Sequence, residues 1–148
     1  MSDVSSLGGG GTQSLPYVTS PVASVAFPAG TPVYKQSTGM VAPAIASAIG
    51  TSTLLGLAVN PAQPGQPVDI QWGGSVKLSN AQWQQVLGTS SGGLTTGSQY
   101  YLSESVAGRL TTVPPTNEAH FIVQVGVAEF IDSMFIQLGA PQAGSSIP

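Results

Sequence analysis

The sequence predicts an all-β protein, a barrel or a sandwich built from two sequence-related β units, with one short helix near residues 80–87. Three observations lead to this fold class. Short runs rich in Val, Ile, Tyr and Thr alternate with Gly, Pro, Asn and Asp, a pattern typical of strands joined by tight turns. Several motifs of the first half recur in the same order in the second half. A single segment departs from this pattern and has helical spacing.

The recurring motifs indicate an internal duplication. Each motif of the first half has a counterpart in the second half, and the order is the same. The pairs are Gly30-Thr-Pro-Val-Tyr34 with Gly97-Ser-Gln-Tyr-Tyr101, Gly39-Met-Val41 with Gly108-Arg-Leu110, Leu55-Gly-Leu-Ala58 with Val125-Gly-Val-Ala128, and Ile70-Gln-Trp-Gly73 with Ile136-Gln-Leu-Gly139. An offset of roughly 66 to 70 residues exceeds the period of solenoids, so a tandem pair is predicted.

These motifs divide the chain into four segments. Residues 1–16 form a Gly/Ser-rich N-terminal arm, expected to be flexible in the isolated protein. Residues 17–78 form the first β unit, 79–140 the second related unit with the short helix, and 141–148 a C-terminal tail. Two such units can pack as halves of one fold, each covering the other's apolar face. The arm is either a terminus without consequence or a segment that orders on docking.

Glycines predict where strands turn or bulge. Gly39 marks a tight turn between two strands, and Gly73-Gly74 predicts a hairpin that joins the strand ending at Trp72 to its partner Ser75–Leu78. Gly56 and Gly126 interrupt apolar strands. They predict bulges or a close approach of two backbones.

The helical segment is Ser79–Gly88. Ser79 and Gln82 have the spacing of a capping box, and Gly88 can adopt the left-handed conformation that ends a helix. Trp83, Val86 and Leu87 share one face at helical spacing, which predicts that this face is buried.

The uncharged stretch Met40–Val59 is long enough to be weighed as a membrane span. It contains Pro43, two glycines and four hydroxyl residues, and no basic residue flanks it to orient it. Buried strands separated by a loop of small residues explain it better, and no membrane partner is expected.

The charge composition argues against several function classes. Three Lys and Arg residues cannot neutralise many phosphates, so binding of nucleic acid is not expected. The absence of Cys excludes disulfides, thiolate nucleophiles and cysteine metal sites. The hydrophobic content of 41% argues against disorder of the whole chain.

The titratable residues do not predict a catalytic site. Glu104 and Arg109 are interpreted as a surface pair across a turn. Glu129 and Asp132 flank a turn and would need further oxygen ligands to hold Ca²⁺. The single His120, at the start of a strand, is expected at the surface or an interface. We therefore expect no enzyme, no cofactor and no metal.

The aromatic residues fit either a sugar-binding platform or a protein interface. Trp83 lies on the apolar helix face and is assigned to the core. Tyr100 and Tyr101 are adjacent in a strand and point to opposite faces, so only one of them can be buried. Interface burial is favoured for the other, because aromatic residues are enriched at interfaces.

The order of motifs in both halves resembles virion proteins of tailed bacteriophages. The second half resembles a module that decorates capsids or forms head and tail fibres. The first half is similar to small capsid decoration, or cement, proteins. The residues that carry this resemblance are Ala81-Gln-Trp83, Gly93–Gly97, Tyr100–Ser103, Gly108–Thr112, Pro114-Pro115 and Val125–Ala128, together with Gly30–Tyr34, Gly39–Val41, Leu55–Ala58 and Gly65–Val68.

The resemblance implies a non-enzymatic all-β homo-oligomer, a trimer rather than a dimer, that binds the major capsid protein. The expected location is the outside of the capsid in the virion, and the host cytoplasm during assembly. It implies stabilisation or decoration of the capsid. A head or tail fibre module that binds a receptor or glycan is the alternative, although a long repetitive shaft is missing. The residues expected to contact the capsid or another subunit are Ser14, Leu15, Pro16, Tyr17, Trp72 and Tyr100.

Overall fold

The first half of the chain forms one five-stranded antiparallel sheet in a computed structural model, which describes residues 17–143. A helical turn, α1, lies between its third and fourth strands, inside a segment predicted as a loop. The elements are β1 (Val18–Thr19), β2 (Pro32–Lys35), β3 (Val41–Pro43), α1 (Ile49–Ser52), β4 (Leu54–Ala58) and β5 (Ile70–Gln71). The order in this first sheet is β1-β5-β4-β2-β3.

The second half forms a second five-stranded antiparallel sheet and a small additional one. The elements are β6 (Ser75–Lys77), α2 (Asn80–Leu87), β7 (Gln99–Leu102), β8 (Leu110–Thr111), β9 (Phe121–Ile122), β10 (Gln124–Phe130), β11 (Ser133–Ile136) and β12 (Gln142–Ala143). The order in the second sheet is β6-β11-β10-β7-β8, and β9 pairs with β12.

The two large sheets have the same strand order. Strands β1, β5, β4, β2 and β3 of the first correspond to β6, β11, β10, β7 and β8 of the second. Even single hydrogen bonds recur: the amide of Gly30 donates to Ala58 O at 2.7 Å, and that of Gly97 to Ala128 O at 2.8 Å. The predicted all-β fold of two related units is confirmed.

The mid-strand glycines have the predicted role in both sheets. The register of β4 against β2 shifts next to Gly56, and that of β10 against β7 shifts next to Gly126. A Cβ atom on Gly56 would overlap the carbonyl oxygen of Gln71, and one on Gly126 would overlap that of Phe135. Each glycine therefore permits a bulge and a close approach of the neighbouring strand.

The fourth pair of motifs, Ile70–Gly73 with Ile136–Gly139, is offset by two residues from the correspondence that the strand pairing shows. Ile70 pairs with Ala58, and Met134 pairs with Ala128, so Met134 rather than Ile136 is the counterpart of Ile70. Side chains alternate between the faces of a strand, so a shift of two residues leaves the pattern of burial unchanged. The sequence comparison could not detect the shift for this reason.

The predicted hairpin across Gly73-Gly74 is wrong. Strand β6 pairs with β11, and Lys77 lies opposite Ser133. Both edges of β5 are already occupied, since Gln71 pairs with Val18 of β1 and with Leu57 of β4. The glycines instead lead the chain from the first sheet to the second, which begins at Ser75, before the predicted unit boundary at residue 79.

Helix α2 has the predicted caps and buried face. Gln82 N donates to Ser79 Oγ at 3.2 Å and Ser79 N donates to Gln82 Oε1 at 2.9 Å, which completes the capping box. Gly88 ends the helix at φ 74°. Trp83 is fully buried, and its Nε1 donates to the carbonyl oxygen of Asp132 at 2.8 Å.

The two halves share one hydrophobic core. This main core combines residues of both sheets and of α2, including Leu57, Trp83 and Met134. A second, smaller core lies on the opposite side of the first sheet and contains Val33 and Ile70. The first sheet is therefore buried on both faces.

Backbone hydrogen bonds also join the two halves. Gly108 N donates to Ala44 O at 2.7 Å, and Ala46 N donates to Ser103 O at 2.9 Å.

No helix among residues 17–143 is long and apolar enough to cross a bilayer. The stretch Met40–Val59 forms β3, α1 and β4.

Candidate contact surfaces

Two of the predicted contact residues meet on the surface. The rings of Tyr17 and Trp72 lie edge to face, with centroids 5.0 Å apart and an interplanar angle of 89°. About half of each side chain is exposed. Trp72 N donates to Tyr17 O at 2.8 Å, which fixes β1 beside the end of β5. We call these two residues the aromatic pair.

The backbone around the aromatic pair is adapted to it. Tyr17 has φ 63°, a left-handed conformation that is rare for a bulky residue and costs roughly 1–3 kcal/mol. Its ring lies over Gly73, where a Cβ atom would be 3.0 Å from Tyr17 Cδ1. The glycine thus leaves room for the ring, and the ring contact and the hydrogen bond hold Tyr17 in its unusual conformation.

The other predicted contact residues are placed differently. Ser14, Leu15 and Pro16 lie outside the described residues. Tyr100 lies in the main core at 2% exposure, and its hydroxyl accepts the amide hydrogen of Thr95 at 2.8 Å. The expectation that Tyr100 contacts a partner is therefore corrected, because its face of β7 points into the core. Tyr101 takes the opposite face and is half-buried.

A second apolar surface is the face of the second sheet that points away from the main core, here called the outer face. Residues paired across antiparallel strands share a face, so the row Ser75, Phe135, Val127 and Gln99 belongs to it. Phe130, paired with Ser133, extends it. Phe130 is 65% exposed and Phe135 is 40% exposed.

Sequence reasoning did not single out Phe130 or Phe135. The alternation of Ser133-Met-Phe-Ile136 indicates that Met134 and Phe135 take opposite faces. It does not indicate which face is covered. The sequence therefore predicts that the two side chains lie on opposite faces, but the position of the main core is needed to tell which of them is exposed.

The titratable residues pair with partners that the sequence did not suggest. Glu104 lies beside His120, with 2.7 Å between Oε1 and Nδ1, and not in the predicted pair with Arg109. Glu129 Oε1 accepts hydrogen bonds from Ser75 Oγ at 2.7 Å and Ser133 Oγ at 3.1 Å.

Asp132 has a different partner, Lys77. Its carboxylate lies 3.9 Å from Lys77 Nζ. Within residues 17–143 no three His, Cys, Asp or Glu residues gather as a metal site would require.

No protein-family model matches the chain, and a search of curated proteins finds no similar sequence.

Proposed function

We propose that this protein is a structural component of a bacteriophage virion that binds the outer surface of the capsid as a homo-oligomer, a trimer rather than a dimer. It stabilises or decorates the shell by binding the major capsid protein, and it acts without catalysis. The observation that carries this proposal is the presence of two exposed aromatic surfaces, the aromatic pair and the outer face, on one small β-rich chain.

Two surfaces suit a protein that must contact both a shell and its own copies. The chain carries 3 basic and 6 acidic residues in 148, so contact between its surfaces displaces little water from charges. An oligomer that binds through several copies of a modest surface gains avidity from the linkage. Rupture of the shell then requires the breakage of these contacts as well. The resemblance of the motifs to capsid decoration proteins supports the same function.

The aromatic pair is the proposed capsid contact, together with the arm that precedes it in the sequence. The test is co-sedimentation of the purified protein with undecorated capsids. We expect Trp72→Ala, or deletion of residues 2–13, to weaken binding at least about tenfold. Val113→Ala, which trims a side chain with 65% exposure elsewhere on the surface, is the matched control. Unchanged binding of the Trp72 variant would remove the aromatic pair from the proposal.

A head or tail fibre module that binds a glycan is the second candidate, because Trp72 is 48% exposed and indole rings stack on sugars. In the aromatic pair, however, one ring meets the other edge to face, which differs from a flat stacking platform. A glycan screen beside the sedimentation experiment separates the two functions. Capsid binding without a glycan signal supports decoration, and the reverse result supports the fibre module.

A further inference from the structure

The outer face has a counterpart in the first sheet, and the two differ in burial. The pairing registers make Leu57 equivalent to Val127 and Gln71 equivalent to Phe135. Leu57 is fully buried in the main core, whereas Val127 is partly exposed and Phe135 is 40% exposed. The fold thus covers this face in the first sheet and leaves it open in the second.

The cover over the first sheet comes from the second half of the same chain. Leu57 belongs to the same core as Trp83, Val86 and Met134. At the start of β2, a Cβ atom on Gly30 would lie 3.2 Å from side-chain carbons of both Leu78 and Val86. A related β unit is therefore what packs on this face where the structure shows it covered.

The outer face has the chemistry of a surface that is covered by protein. Phe130, Phe135 and Val127 supply apolar area, and Ile131 at the adjoining turn is 49% exposed. The carboxylate of Glu129 is already bonded to two serine hydroxyls within this chain. Contact with an apolar partner would therefore leave this carboxylate with hydrogen bonds.

We propose that the outer face of the second sheet is the surface through which a second copy of this chain associates. Because of the internal duplication, the first sheet has an equivalent face, and a unit of the same kind covers it. The proposal rests on the proposed function, since it identifies the oligomer contact of a protein that binds the capsid through a different surface, the aromatic pair.

The size of the face sets the expected strength of association. Five strands spaced about 4.8 Å apart and about 15 Å long give a projected area of about 350 Å² per copy. Even when both copies are counted, a contact of this size lies below the roughly 1,200–2,000 Å² of standard interfaces, so association through it should be reversible and depend on concentration. The high local concentration on a particle would favour it.

The first test measures self-association without capsids by sedimentation velocity over a range of protein concentrations. We expect the wild-type chain to form oligomers that dissociate on dilution. The double variant Phe130→Ser, Phe135→Gln should raise the dissociation constant at least about tenfold. Gln is the residue that the fold already carries at the equivalent position 71. The control is Ile49→Ser with Val113→Ser, which removes two exposed apolar side chains elsewhere.

A second measurement does not depend on removal of the phenylalanines. The chain contains no Cys, so one introduced cysteine is a unique site for a bis-maleimide cross-linker. Lys77→Cys, at the rim of the outer face, should give cross-linked dimers, whereas Thr38→Cys on the turn between β2 and β3 should not.

The outcomes separate this inference from the proposed function. A wild-type chain that stays monomeric, or oligomers that survive the double variant, would overturn the inference even if the protein bound capsids. Oligomers that the double variant dissolves, in a protein that does not bind capsids, would support the inference and contradict the proposed function.

Discussion

The two halves of this protein have the same strand order but are used differently. The first sheet is buried on both faces, one in the main core and the other in the smaller core. The second sheet buries one face, and its outer face exposes Phe130 and Phe135. Equivalent positions show the difference directly, since fully buried Leu57 corresponds to half-buried Val127.

The two related units therefore have the same strand pairing, but their sheets are covered by different parts of the chain. In the tandem arrangement the first unit lies against the second, while among the described residues the outer face of the second sheet keeps Phe130 and Phe135 exposed. Equivalent residues differ in both directions: Val59 corresponds to Glu129, whose carboxylate bonds to serines, whereas Gln71 corresponds to Phe135. Burial stabilises apolar side chains, so the exposure of Phe130 and Phe135 is the basis for the proposed contact with a second copy.

The largest difference between the halves is expected for Leu57→Ala and Val127→Ala. Leu57→Ala leaves a cavity in the main core and should lower the free energy of unfolding by about 2–5 kcal/mol. Val127→Ala, at the equivalent but half-open position, should cost about 1 kcal/mol or less. Urea unfolding at low protein concentration measures both. Equal losses would contradict the assignment of the two faces.

The bulge glycines should differ less. Gly56→Ala places a methyl group against the Gln71 carbonyl and the β-branched side chain of Ile70, which should cost about 1–3 kcal/mol. Gly126→Ala meets the Phe135 carbonyl and the flexible side chain of Met134, so its cost should be smaller.

The control for both glycine variants is Gly50→Ala in α1, where no atom beyond the adjoining residues and the helix's own backbone lies within 4 Å of the added methyl group. It should leave stability unchanged or raise it slightly, because alanine favours the helix. Thermal unfolding of the three variants side by side ranks them. A Gly126 variant less stable than the Gly56 variant would contradict this ranking.

The adjacent tyrosines test which face of β7 is buried. Tyr100→Phe removes the acceptor of the Thr95 amide and should cost about 1–2 kcal/mol. Tyr101→Phe alters a hydroxyl on the outer side of the sheet and should change stability by less than about 0.5 kcal/mol. Guanidinium unfolding followed by Trp fluorescence gives both values. The reverse order would place the core on the other side of β7.

The smallest effects are expected at the helix caps. Ser79→Ala removes the capping box of α2 and should cost about 1 kcal/mol. Helix α1 has no side-chain cap at Ala48, so Ala48→Ser should add a few tenths of a kcal/mol, about 0.5 kcal/mol at most. Differential scanning calorimetry resolves the two shifts, which should have opposite signs. A destabilised Ala48→Ser variant would show that this short turn gains nothing from a cap.

Local features were predictable from the sequence because their partners are close along the chain. The capping box of α2 joins residues three apart, and the turn at Gly39 joins neighbouring strands. The duplication made the β architecture predictable as well, since each half repeats the same plan. Both members of the aromatic pair, Tyr17 and Trp72, were also predicted as contact residues from the sequence.

Long-range partners were not predictable in the same way. The hairpin at Gly73-Gly74 failed because β1 and β4, distant in sequence, already occupy both edges of β5. The partner of Glu104 is His120, sixteen residues away, rather than Arg109 across the turn. Helix α1 has no capping side chain from which the sequence could have predicted it.

The sequence by itself determined the all-β class, the tandem duplication and the capped helix, because periodicity, glycine positions and capping residues act over a few neighbouring residues. Only the tertiary structure decided which face of each strand is buried. The alternation of side chains in β7 predicts that one of Tyr100 and Tyr101 is buried, but only the position of the main core shows that it is Tyr100. That choice depends on the packing of one unit against the other, and it is also what leaves Phe130 and Phe135 exposed.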